Sequence, residues 1–438
     1  MDLVRLATFR RSQRRGRRLV ATGIVAGGLL AFTRAALAAD PPPPQDGYEP
    51  AIVPAIGGST DVGFGGGVLG SLTRFAPGAS PYLWHLEGAA FVTTGGSNPS
   101  SVFPYQQYYV DLTIPHFLDR RLRLFVEPSY NREAYLEYWG LGNASVYAPR
   151  WASIDPSTDP KAYAAARRYD TYILLRPGVR TDLRIEVRRP LYVMVGAMFT
   201  QNAADVAPHS QIEADRHGAS GPVVRDIVSG PDDYGVLLFD SGLVYDSRDD
   251  ETAPQQGMLH KLSARLSPGG AGELPYRYAG FTGNFRFYEP LIRHRLTLAL
   301  RLVGDALVGH APLNELARFD TMAYAIGGVD GVRGVPALRY YGRAKVLGNV
   351  ELRAPELFAF RVFGERVRYG FAAFFDGGRL WADYQALPAL DGTGIGLHYG
   401  LGGGPRLQVG RAFVVRFDVA WSPEARPIAA YLKAGHMF

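Results

Sequence analysis

The stretch Arg411-Ala412-Phe413-Val414-Val415-Arg416-Phe417-Asp418-Val419-Ala420-Trp421-Ser422 decides the fold. In an extended chain, Phe413, Val415, Phe417, Val419 and Trp421 fall on one face, and Arg416 and Asp418 on the other. A period of two is the mark of a strand. The pattern recurs upstream. In Arg295–Asp305, Leu296, Leu298, Leu300 and Leu302 oppose Arg295, Thr297, Arg301 and Asp305. In Lys345–Ala354, Val346, Val350 and Leu352 oppose Lys345, Asn349, Glu351 and Arg353. In Arg366–Gly378, Val367, Tyr369, Phe371 and Phe375 oppose Arg366, Arg368 and Asp376.

A soluble sandwich also alternates, but here the face opposite the apolar one is dense in paired charges. Strands of about ten residues with a greasy outside and an ionised inside predict an all-β, antiparallel transmembrane barrel. Hydrocarbon cannot satisfy open backbone groups, so the sheet must close. No later stretch has the ~20 uninterrupted apolar residues of a spanning helix. The chain holds 25 Tyr and 23 Phe, many near segment ends as in Tyr105-Gln106-Gln107-Tyr108-Tyr109, where interfacial girdles belong.

The pattern predicts about 16 strands, with cores near 51–57, 62–75, 82–94, 105–115, 121–138, 168–182, 188–203, 234–248, 258–267, 276–288, 293–306, 345–355, 366–382, 395–408, 412–421 and 427–438. Short links such as 118–120 and 292–294 read as periplasmic turns. Long ones near 139–167, 204–233 and 307–344 read as extracellular loops. The predicted first strand is short and pairs with the last on closure, so that seam carries few ladder bonds.

Residues 1–38 read as a secretory signal peptide. Seven arginines lie in 1–18, the apolar run Leu19–Phe32 follows, and Ala36-Leu37-Ala38 supplies small residues for cleavage. Residues 39–50, with Pro41–Pro44, read as an extended linker, and 51–438 as the barrel. The basic balance of the whole chain, 47 Lys+Arg against 41 Asp+Glu, sits in the leader. Without residues 1–38 the chain has 39 basic and 40 acidic residues, so no nucleic-acid partner is expected. There is no cysteine, hence no disulfide or thiolate-metal site.

The last segment alternates as well. Ile428, Ala430, Leu432, Ala434 and Phe438 share the expected lipid face, and Tyr431, Lys433 and Gly435 point inward. Tyr431, Leu432, Gly435 and Phe438 resemble the C-terminal signal that outer-membrane assembly machinery reads.

Several motifs resemble those of the Omp85 superfamily, which includes surface antigen D15 and the BamA- and TamA-type barrels. Ala325-Ile326-Gly327-Gly328-Val329-Asp330-Gly331-Val332-Arg333-Gly334 is similar to the tip of that family's sixth extracellular loop. Tyr245-Asp246-Ser247-Arg248-Asp249-Asp250, with Pro254 and Gly257, resembles its Asp-x-Arg-Asp strand and turn. Gly348-Asn349-Val350-Glu351-Leu352-Arg353-Ala354-Pro355 and Phe374-Phe375-Asp376-Gly377-Gly378 resemble two further strands. Gly58–Gly65 resembles the first hairpin, and Tyr138-Trp139-Gly140-Leu141-Gly142-Asn143 an aromatic-glycine segment.

The resemblance implies that the loop carrying Val332, Arg333 and Gly334 folds into the lumen, and that Asp376 is the partner of Arg333. A buried guanidinium needs such a carboxylate, since a lone buried charge costs several kcal/mol. Asp246, Arg248, Asp249, Glu351, Arg353, Arg366 and Arg368 are candidates for a wider lumen network. Two features depart from the family pattern. Val335 replaces an aromatic after Arg-Gly, and Ala39–Glu49 leaves no room for the periplasmic POTRA domains with which relatives collect clients.

Other signals have weaker readings. Gly65-x-Gly67-x-x-Gly70 has a dinucleotide-binding spacing, but it lies inside an alternating strand rather than before a helix. Its glycines suit tight curvature better. His85 and Glu87 share a face without a third ligand, so a lumen hydrogen-bond network is the better reading. Asp246, Asp249, Asp250 and Glu251 could hold calcium, but Arg248 and Arg265 favour charge pairing. No Gly-x-Ser-x-Gly elbow or His-Glu-x-x-His helix occurs.

The expectation is therefore a non-enzymatic outer-membrane barrel without cofactor or metal. It would act in insertion or translocation of protein or lipid. Expected partners are outer-membrane lipid and lipopolysaccharide, the machinery that inserts the barrel itself, and a separate periplasmic protein. The alternative is a passive pore whose lumen arginines prefer anions.

Overall fold

In the computed structural model, residues 46–438 are described except 80–81, 96–101, 119, 251–252, 294, 321–325, 363–364, 410–412 and 425–427. The signal peptide read at 1–38 and most of the linker read at 39–50 lie outside the described residues.

Sixteen strands close into one antiparallel barrel, each paired with its neighbours in sequence and β1 with β16. They are β1 Gly47–Ser59, β2 Gly63–Phe75, β3 Trp84–Thr94, β4 Tyr105–Ile114, β5 Leu122–Glu137, β6 Thr171–Arg188, β7 Leu191–Val206, β8 Asp233–Asp246, β9 Gly257–Pro268, β10 Arg277–Ile292, β11 Leu296–His310, β12 Ala344–Val362, β13 Glu365–Trp381, β14 His398–Val409, β15 Phe413–Trp421 and β16 Ala429–Ala434. Alternation maps onto the two faces. Leu302, Leu352, Phe371, Phe375, Phe417, Val419 and Trp421 are exposed outward, while Arg301, Asp305, Glu351, Arg353, Asp376, Arg416 and Asp418 are buried inside.

Both ends of the described chain lie at the end of the barrel that carries the short turns. By the rule that long loops face outward, that end is periplasmic. At the other end, the loops after β5, β7, β11 and β13 fold together into a dome. Leu141, Ile212, Val224, Ile227, Leu316, Leu338 and Tyr341 form its core with strand residues Tyr172, Leu174, Tyr234 and Leu307. Short helices stiffen it. One, Pro160–Asp170, starts where the Asp159 carboxylate accepts the Ala162 N–H and Pro160 occupies the first turn.

The first strand departs from expectation. It begins at Gly47, inside the segment read as linker, and pairs with β2 at all 13 of its positions. In the structure Pro50 and Pro54, four residues apart, lack their N–H on one and the same edge, and prolines are confined to such edges. The seam is short nonetheless, although β16 pairs with β15 at all six of its positions. Among the described residues β1 and β16 are in register at only Gly58–Leu432 and Ser59–Tyr431, with the Thr60 N–H donating to the Ala430 carbonyl just beyond.

The C-terminal reading is also corrected. Alternation was extended to Phe438, but β16 ends at Ala434, and Gly435, at φ +81°, turns the chain into the lumen. Phe438 does not face lipid. It is buried with Met437 against Tyr288 and Ala299 on the far wall.

Candidate functional site

The described residues of the segment between β11 and β12, 311–320 and 326–343, enter the barrel and are held by its wall. At its root the Asp320 carboxylate accepts from Lys261 Nζ at 2.8 Å and Ser263 Oγ at 3.2 Å. Arg318 meets Glu133 of β5 at 2.6 Å. Nearer the tip, Phe319, Ile326, Val332, Val335 and Tyr340 pack on Val303, Leu347 and Leu380 of the wall. Val335, which stands where an aromatic was expected, is fully buried in this cluster.

The tip presents Arg333, whose side chain has no exposed surface. Its Nε and Nη2 donate to the two carboxylate oxygens of Asp376 at 2.7 and 3.0 Å, a bidentate fork. Its main-chain N–H adds a third bond to Asp376 at 3.1 Å. Nη1 reaches Glu351 at 2.7 Å and Asp418 at 3.2 Å. The Phe374 ring lies 3.3 Å beneath the guanidinium carbon and supplies an aromatic face to the cation. The three carboxylates come from β12, β13 and β15, whose alternation aims them inward. Together they draw the arginine further toward its charged form against the cost of burial.

Two glycines permit this approach. A Cβ on Gly400 of β14 would lie 1.9 Å from the Arg333 carbonyl oxygen, so no other residue leaves room for the tip. Gly334 sits at φ +98°, and its N–H donates to the Tyr431 hydroxyl of β16 at 2.8 Å.

Asp330, three residues before Arg333, anchors a second set of contacts. Its carboxylate pairs with Arg416 at 2.8 Å and with Lys433 of β16. Its carbonyl accepts from Arg301 Nη2 at 2.5 Å. Burial alone would push this carboxyl up, but Lys433 and Arg416 outweigh it and hold the group well below the usual carboxylate range. Asn349 bridges the two sets, donating to Asp376 at 2.8 Å and to the Gly331 carbonyl at 2.9 Å. Arg406 meets Asp418 at 2.7 Å. The segment is thus bonded to β11, β12, β13, β15 and β16 at once.

A third element enters from the periplasmic side. Arg353 donates Nε to Glu351 at 2.7 Å and Nη2 to the Phe438 carbonyl at 2.8 Å. The Phe438 ring lies 4.8 Å from the Arg353 guanidinium and 5.1 Å from that of Arg301. The tail therefore enters the lumen and bonds to Arg353, which is itself bonded to the carboxylate, Glu351, that holds Arg333.

The structure brings Val332, Arg333, Gly334, Asp376, Glu351, Arg353 and Tyr431 into one site. Leu432 instead lies opposite Gly58 in the seam. Asp246, Arg248 and Asp249 do not reach it. Asp246 and Arg248 pair with each other at 2.9 Å at the periplasmic end of β8, and Asp249 accepts the Gln255 and Gln256 N–H groups of the turn. Arg366 is exposed and paired with Glu356. Arg368 lies near the same end of β13, opposite Ala359 and Gln408, and does not touch Arg333. Sequence reasoning missed Asp330, Arg301, Arg406, Arg416, Lys433 and Gly400. The inward parity of Arg301, Arg416 and Asp418 was visible, but their convergence on one loop tip was not.

The weaker signals resolve simply. A Cβ on Gly65 or Gly67 would lie 1.8 or 2.0 Å from carbonyl oxygens of β3, so these glycines serve close strand approach. His85 contacts Thr73 at 2.8 Å, and Glu87 accepts from Tyr109 at 2.9 Å. Among the described residues no cluster of three or more His, Asp or Glu is arranged to hold a metal.

Comparison with known proteins follows this geometry. The profile of the Omp85 superfamily domain matches residues 101–427. No curated protein matches the chain in sequence. Among solved structures, BamA from Haemophilus ducreyi lacking POTRA domains 1–3 is 15% identical with a TM-score of 0.55, over 88% of this chain and 70% of that one. CdiB from Escherichia coli is 13% identical with a TM-score of 0.50, over 92% of this chain and 68% of that one.

Proposed function

The chain belongs to the Omp85 superfamily, and from that premise we propose that it inserts or translocates protein or lipid at the outer membrane by opening the β1–β16 seam, without catalysing a reaction. The observation that carries this reading is the seam itself, two paired positions long in a barrel whose other strand pairs have far longer ladders. In hydrocarbon each unsatisfied backbone group costs several kcal/mol, so the β1 edge beyond the seam, blunted at Pro50 and Pro54 but keeping the N–H groups of Ile52 and Ile56, favours an incoming strand. Its partners in this reading are outer-membrane lipid and lipopolysaccharide, the machinery that assembles the barrel, and a separate periplasmic protein that delivers the client.

The anion-preferring pore is the competing reading. Against it stand the buried β11–β12 segment and the tail, which occupy the lumen, and the dome at its loop end. The absence of native cysteine allows a direct test. Thr60 and Ala430 face each other across the seam. An oxidised Thr60→Cys/Ala430→Cys pair should abolish complementation of a deletion strain, and reduction should restore it. A quantitatively cross-linked barrel that still complements, or a steady ohmic conductance in planar bilayers, would overturn the gated reading.

A further inference from the structure

The turn end of the barrel carries arginines that the rest of the fold does not use. Arg120 of the β4–β5 turn, Arg188 at the end of β6, Arg293 and Arg295 of the β10–β11 turn, and Arg361 near the end of β12 are all exposed. Among the described residues none of the five makes an ion pair. At the opposite end Arg168, Arg216, Arg318, Arg339 and Arg343 are each paired with a carboxylate, and Arg277 is exposed without an ion pair among the described residues.

Each of the five lies within a few residues of an outward, exposed apolar side chain: Leu118 before Arg120, Val187 before Arg188, Ile292 before Arg293 and Arg295, Phe360 before Arg361. The cations therefore stand where the apolar band stops. Arginine stems can lie along hydrocarbon while the guanidinium reaches the headgroup layer, and the planar fork matches phosphate bidentately.

We propose that these residues form a collar that binds the phosphodiesters of anionic glycerophospholipids in the periplasmic leaflet, fixing the barrel's depth and the height of its seam. The collar rests on the outer-membrane reading for its orientation. A lipid plane is favoured over an acidic protein because the charges are spread over the rim from the β4–β5 turn to the end of β12, next to exposed apolar residues, rather than gathered on one patch.

The test uses the whole barrel, reconstituted in vesicles of phosphatidylethanolamine with a minor share of phosphatidylglycerol, then extracted and weighed with its retained lipid by mass spectrometry. Phosphatidylglycerol should be enriched about fivefold per collar site, less so at high salt. Arg120→Gln/Arg188→Gln/Arg293→Gln/Arg295→Gln/Arg361→Gln should lose the enrichment, and the matching lysine set should keep most of it. If the five-fold variant does not fold, Arg293→Gln/Arg295→Gln alone should lose a share. Equal retention of the two lipids by the wild type, or unchanged enrichment in a folded glutamine variant, sinks the proposal. So does loss of an acidic periplasmic protein from the variant with lipid retention intact, which would make the rim a protein contact. Heat-modifiable gel mobility in every arm keeps the barrel reading separate: a collar failure leaves it standing, and a protein that never enters vesicles refutes the barrel first.

Discussion

The Gly334 N–H donates to the Tyr431 hydroxyl at 2.8 Å, which ties the tip of the lumen segment directly to the last strand of the barrel. The seam and the plug are therefore not independent. A movement of β16 away from β1 carries Tyr431 with it and pulls on a tip that is otherwise anchored to the β12–β13 wall through Arg333. Lys433, two residues along, adds a second tether through Asp330.

Tyr431→Phe tests that coupling. The change leaves the ring and removes only the acceptor, so a buried N–H loses its partner at a cost of about 1–3 kcal/mol. The expected outcome is a folded barrel with normal heat-modifiable mobility and more frequent conductance flicker. A variant indistinguishable from the wild type in single-channel records would show that the tether carries no load.

Arg333→Ala should be far more damaging. It leaves Asp376, Glu351 and Asp418 without their shared cation, and breaking a buried pair from one side costs about 3–5 kcal/mol. Gel-shift melting should move to markedly lower temperature. Arg333→Lys should recover only part of the loss, because an ammonium cannot make the bidentate fork to Asp376 while reaching Glu351. Equal melting of Arg333→Ala and wild type would refute the lock.

Gly400→Ala asks whether docking geometry, rather than charge, holds the tip. The added methyl would meet the Arg333 carbonyl oxygen at 1.9 Å. Overpacking of this kind costs typically ~1–3 kcal/mol. The expected phenotype is that of a mild Arg333→Ala, and the two changes together should be less than additive because they act on one contact. Full additivity in a double-mutant cycle would separate the glycine from the arginine.

Much of this was legible before any coordinates. A period of two survives translation into structure because each strand's parity fixes its face, so Arg333's partners Asp376 and Glu351 could be assigned an inward direction from sequence. Where parity stops, so did the reading. Gly435 leaves the strand, and Phe438 beyond it was assigned to lipid rather than lumen. Arg366 kept its inward parity but lies near the periplasmic rim, where side chains bend toward water and parity no longer implies burial. Asp246 and Arg248 were grouped with the loop site on motif resemblance, yet β8 lies on another part of the wall and its charges pair locally. Convergence across the lumen, as with Asp330 and Lys433, depends on loop path and has no one-dimensional signal.

The tail offers a test with two separable readouts. Phe438→Ala removes the ring packed between Arg301, Arg353 and Tyr288. If the lumen tail acts as a periplasmic plug, conductance per inserted molecule should rise. If Phe438 is also read during assembly, the amount of inserted barrel should fall. Arg353→Ala should raise conductance alone, since it frees the Phe438 carbonyl while leaving the aromatic intact. No change in conductance in either variant would remove the tail from the gate.

A pH prediction concerns the extracellular dome. Tyr340 stacks on His398 at 3.9 Å, His398 Nδ1 lies 2.7 Å from Glu424, and His398 Nε2 lies 2.9 Å from Asn143, so three loops meet at one clasp on the start of β14. Burial would push the Glu424 carboxyl up, but the hydrogen bond and charge of His398, with the Tyr340 hydroxyl and Arg339, outweigh it and hold it below the ordinary glutamate value. The sign follows from linkage. A carboxyl depressed in the folded state stabilises above its unfolded value, about 4.3, and that contribution is lost as pH falls through the depressed one. Acidification below roughly pH 4 should therefore loosen the clasp, seen as faster labelling of a cysteine placed at Ser145, whose hydroxyl is buried and whose carbonyl accepts from Arg339. Glu424→Gln should label faster at neutral pH and lose the acid step. A labelling rate flat with pH in the wild type would mean the clasp does not depend on this carboxylate.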